Sequence, residues 1–63
     1  MTSFSALADE IAALEERVSE AVFDAVRAQL RDLDDAARDV ERQLARVRRS
    51  LQKAEAILRG LPE

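Results

Sequence analysis

Apolar residues recur at helical spacing along this entire chain, with nothing to interrupt them before its last few residues. Phe4, Leu7, Ile11, Leu14 and Val18 step by three and four, which keeps their side chains on one face of an α-helix. Val18, Val22, Val26 and Leu30 then step by four. Leu33, Ala37, Val40, Leu44, Val47, Leu51, Ala54, Leu58 and Leu61 return to a heptad rhythm. The run of fours is a stutter, which locally straightens a supercoil. The single glycine and the single proline, Gly60 and Pro62, both stand at the far end. Strand-like alternation is absent, so the chain is predicted to be all-α.

Both ends carry helix signals. Thr2, Ser3 and Ser5 are N-cap candidates, and Asp9 and Glu10 follow near the positive end of the helix dipole. Gly60 suits a left-handed position just past a helix, and Pro62 blocks continuation.

The segment from Arg31 to Asp35 decides between one helix and two. No glycine or proline marks a turn there, and the apolar stripe keeps nearly the same phase on both sides. A continuous helix would run about 80 Å at 1.5 Å per residue. Asp32, Asp34 and Asp35, however, form the local minimum of helix propensity, and Asp is a preferred N-cap. Charge also runs from acidic to basic twice, so each half matches its own helix dipole. Folding near residue 33 brings Glu15 and Glu16 level with Arg48 and Arg49, Glu20 with Arg46, and Asp24 with Arg42. The expected fold is an antiparallel, coiled-coil-like hairpin: one domain with helices over about 4–31 and 36–59 and a turn over 32–35. Hairpins of this kind would assemble into a helical bundle. The alternative is a single long helix in a coiled coil.

Length makes assembly the expected source of stability. A chain of 63 residues buries only about 60% of the surface its unfolded form exposes. Such chains usually gain a disulfide, a metal or a partner subunit. Cysteine and histidine are absent, which excludes disulfides, thiolate metal sites and the usual general base. The expected seam towards the oligomer or partner comprises Leu7, Ile11, Leu14, Val18, Val22, Phe23, Leu44, Val47, Leu51 and Leu58. Phe23 sits off the main stripe, where a bundle of four helices would cover it.

Motifs for chemistry are weak. Ser50-Leu51-Gln52-Lys53 matches the Ser-x-x-Lys pattern of penicillin-recognising enzymes, but those need a pocket and further motifs on a larger fold. Asp32-Leu33-Asp34 opens like a calcium loop, yet Ala37 and Gln43 occupy the places of the required Gly and Glu. No cofactor, metal or small-molecule ligand is expected, and no enzymatic activity. No stretch is long and apolar enough to span a bilayer, and the start lacks the pattern of a signal peptide, so the expected location is the cytoplasm or the interior of a larger particle.

Charge carries more information than these motifs. The net charge of −3 averages two opposed faces. Arg38, Arg42, Arg46, Arg49 and Lys53 repeat by four, four, three and four, which forms a cationic stripe opposite the apolar one. Asp9, Glu16, Glu20 and Asp24 form its acidic counterpart on the first half. The expected function is a structural or adaptor subunit that binds itself or the helices of a larger protein complex. The alternative is a small regulatory bundle that binds nucleic acid or another anionic partner through the basic stripe.

Overall fold

The computed structural model describes residues 3–32 and 35–63. Two α-helices, α1 (Phe4–Asp32) and α2 (Asp35–Arg59), pack along their whole lengths as a rod 48 Å long and about 14 Å wide. They run antiparallel, with Asp9 beside Arg59 and Gln29 beside Glu41. The continuous helix is thereby set aside. The expected turn falls largely on Leu33 and Asp34, which lie outside the described residues.

Each helix begins and ends for identifiable reasons. Ser3 caps α1: its Oγ accepts from the amide of Ala6 at 3.2 Å, and its carbonyl accepts from Leu7. The first turn of α1 has no acidic residue of its own. Glu63 supplies one from the other end of the chain, accepting from Ser3 Oγ, Ser5 N and Ser5 Oγ at 2.9 Å each. Asp35 opens α2, while Arg31 and Arg59 sit in the last turns, each matched to the local dipole.

Gly60 corrects an expectation. Its backbone does not enter the left-handed region. Instead, the chain tightens: Gly60 N donates to the carbonyls of Ala56 and Ile57, and Leu61 N donates to Leu58 O at 3.2 Å. Pro62 has no N–H to continue the ladder and disfavours helical geometry at Leu61, so proline rather than a glycine cap ends α2.

The seam between the helices also differs from the expected stripe. In α1 it follows Phe4, Ala8, Ile11, Glu15, Val18, Val22, Ala25 and Gln29, a strict four-three alternation. In α2 it follows Ala37, Glu41, Leu44, Arg48, Leu51, Glu55 and Leu58. These are the a and d positions of one heptad, with a at Ala8 and Glu41. The buried residues are Ala8, Ala25 and Ala37, and among the described residues no large side chain is fully buried. Alanine at the contact lets helix axes approach closely. Close approach leaves little room for Leu7 and Leu14, which are displaced to the flank.

Register is the second correction. Glu15 lies opposite Glu55 rather than level with Arg48, and among the described residues the ion pair joining the helices is Asp9–Arg59. Exposed ion pairs contribute about 0–1 kcal/mol, too little to outweigh the layers of alanine and leucine that set the register. Arg48 still lowers the Glu15 pKa through its charge, opposing larger effects that raise it.

Candidate assembly surface

Helical geometry divides the apolar residues between two ridges. One is the a/d seam inside the hairpin. The other occupies heptad position g: Leu7, Leu14, Ala21 and Ala28 in α1, and Val40, Val47, Ala54 and Leu61 in α2. At 100° per residue, g lies beside the seam on the same flank of each helix. Two antiparallel helices facing each other turn those flanks to one common side. The Asp9–Arg59 contact occupies the opposite side, while Gln29 and Glu41 meet within the seam.

The g side is therefore an apolar face that the hairpin covers only in part: Leu7, Ala21, Ala28 and Ala54 are half-buried. Leu14 is 41% exposed, Val47 44%, Val40 50% and Leu61 41%. Ile57 adjoins the same side at position c and is also exposed. Phe23 and Leu30 lie on the far flank of α1 and are exposed as well.

The residues expected in one seam thus separate. Ile11, Val18, Val22, Leu44, Leu51 and Leu58 are half-buried along the contact between the helices. Leu7, Leu14 and Val47 belong to the g face, and Phe23 to neither. Sequence reasoning missed Ala8 and Ala25 altogether, and it placed Val40, Ala54 and Leu61 on the same stripe as Leu44, Leu51 and Leu58. The signal was the four-three series through Ala8 and Ala25 in α1, which alanine made inconspicuous beside Leu7 and Leu14.

Charges occupy the outer faces. Arg38, Arg42, Arg46, Arg49 and Lys53 are all exposed, and among the described residues none forms an ion pair; Arg46 reaches Gln43 Oε1 at 3.3 Å. Asp9, Glu16, Glu20 and Asp24 are exposed on the back of α1. Asp24 meets Arg27 at 3.9 Å, in an exposed contact of little energetic weight.

One polar cluster crosses the seam. Glu15 Oε2 is shut off from solvent and finds no donor among the described residues, and the Glu55 carboxylate faces it. A proton on Glu15 would resolve both problems by donating to Glu55. That hydrogen bond, followed by desolvation and the charge of Glu55, holds the Glu15 carboxyl above its ordinary range. Glu55 is held below its ordinary range, first by the bond from Glu15 and then by Arg59, whose Nε donates to it at 2.8 Å. The second arm of Arg59 reaches Asp9 at 3.1 Å. Glu63 is likewise lowered, by the Ser5 amide first and then by the hydroxyls of Ser3 and Ser5.

Glu15 and Glu55 are placed to share one proton across the seam, which leaves the pair with a single negative charge beside Arg59. Among the described residues no group of carboxylates is arranged to hold a metal ion, and no helix is long and apolar enough to cross a membrane. The grooves are open; one is lined by Gln29, Arg38, Glu41, Arg42 and Ala45. No family model matches the chain, and no curated protein or solved structure matches it.

Proposed function

We propose that this hairpin is a non-enzymatic assembly module that binds other helices, its own copies or those of a larger complex, through the g face. One observation carries the reading: Leu14, Val40, Val47, Ile57 and Leu61, five of the seven large apolar side chains left exposed among the described residues, lie on one side, while the residues the hairpin buries are alanines. A chain of this mass folded compactly would expose about 4,000 Å². This one exposes 4963 Å². The excess of about 900 Å² is comparable to one partner's share, about 800 Å², of a standard protein interface. Burying a leucine or valine of the g face contributes about 1.5–3 kcal/mol, a large amount for so small a core.

The test is directional. A photo-reactive amino acid at Val47 should form covalent adducts with protein in cells, and the same residue at Arg42 should form few. Adducts arising only from position 42, or only with nucleic acid, would refute the assembly reading.

A second reading rests on the basic stripe. Five exposed cations on one helix face, without ion-pair partners among the described residues, suit a phosphate backbone. They lie on the back of α2, so this surface remains available when the g face is covered.

A further inference from the structure

We infer that the occupant of the g face is a second copy of this chain, docked about a two-fold axis perpendicular to the helices, with α1 antiparallel to α1 and α2 antiparallel to α2. This rests on the assembly reading above and names its partner and geometry.

The charges beside the ridge carry the inference. Position c flanks g on its solvent side, and in α1 it holds Glu10, Arg17, Asp24 and Arg31, all exposed. The signs alternate along the row. When α1 meets its own copy antiparallel, Glu10 falls opposite Arg31 of the second copy and Arg17 opposite its Asp24. The symmetry repeats both pairs, so the row satisfies itself completely. The register that does this places the axis between Arg17 and Asp24, beside Ala21 on the ridge. A small residue stands where the two helices must come closest.

The α2 row has a different character that suits the same symmetry. Its c positions are Gln43, Ser50 and Ile57, none of them charged. Self-pairing of this row brings no like charges together, and it covers Ile57, which is 58% exposed in the single hairpin; Arg46 and Lys53 stand one position further out, on the solvent side of the row. The competing arrangement, α1 against α2 of the second copy, would set the charged row against the neutral one. The match of Glu10 with Arg31 and of Arg17 with Asp24 would then be lost. Complementarity of this kind fixes orientation and excludes alternatives more than it adds affinity.

The experiment uses the full chain, whose lack of cysteine makes single-cysteine variants clean reporters. Sedimentation equilibrium should show a dimer of the 7.0 kDa chain. Ala21→Cys should form a disulfide between copies on mild oxidation, since it stands beside the axis. Arg17→Glu should raise the dimer Kd about tenfold at low salt, and Arg17→Glu with Asp24→Arg should restore it. Circular dichroism of each variant checks that the hairpin is intact. A monomer at all concentrations overturns self-association while leaving a different helical partner open. A dimer that cross-links Ala21→Cys to Val47→Cys of another copy, but not Ala21→Cys to itself, overturns the pairing and keeps the assembly reading.

Discussion

At the scale of single residues, Glu15 is the most informative side chain. A carboxyl held above its ordinary range stabilises the fold fully below its unfolded value, and that contribution fades as pH rises through the folded value. Glu55 is held below its range, so its contribution is present above the unfolded value and is lost on acidification. At neutral pH, therefore, Glu15 is the member of the pair that opposes folding. Glu15→Gln supplies a permanent donor to Glu55 and removes the charge. Its melting temperature should exceed that of the unaltered protein at pH 7.5, with a gain that shrinks towards pH 4.5. A gain of equal size at both pH values would mean that the two carboxyls do not share a proton. None of this was legible in the sequence, where Glu15 reads as one of several surface acids. Its place in the seam follows from a register that alanine sets and apolar counting cannot see.

At the scale of the helices, the four-three spacing was enough to predict α-structure almost end to end, and the aspartates were enough to divide it near residue 33. Ser3 as N-cap was equally readable. The stripe's internal division was not. Leu7, Leu14 and Val47 look like seam residues because they are large, yet Ala8, Ala25 and Ala37 are what the helices bury. Hydrophobicity scales weight size, whereas close packing of two helices favours the residue that lets the backbones approach. In α2 the a positions Glu41, Arg48 and Glu55 are all charged, so that helix contributes leucine to the seam only at d. The sequence stripe there spans d and g, and two surfaces are read as one. Ala25→Leu tests the packing account. It adds apolar surface but forces the helices apart, and should cost about 1–3 kcal/mol in urea unfolding. A stabilised variant would show that the contact has room to spare and that alanine is not what sets the spacing.

At the scale of the whole molecule, the hairpin is a two-helix rod with three chemically distinct sides: an apolar face, an acidic back and a basic back. If the basic back contacts nucleic acid, binding to duplex DNA or hairpin RNA should depend steeply on salt. About five phosphate contacts imply a loss of roughly 10²–10³ in affinity between 50 and 200 mM salt. Changing Arg42, Arg46 and Arg49 to Gln should remove most of the affinity at low salt. Absence of binding to the unaltered protein at low salt would assign those cations to solvation or to an acidic helix. The basic back was legible as the face opposite the apolar stripe, but the separation of that stripe into a seam and a g face emerged only once α1 and α2 were placed against each other.

The bond between Glu63 and the first turn of α1 has a geometric consequence. It fixes both ends of the described chain at one pole of a rod 48 Å long. In the two-fold pair inferred above, the copies point in opposite directions, so these poles lie at opposite ends of the bundle. Anything tethered to one copy would be held roughly a rod's length from its counterpart on the other, and the pair would act as a molecular spacer with identical attachment points at each end.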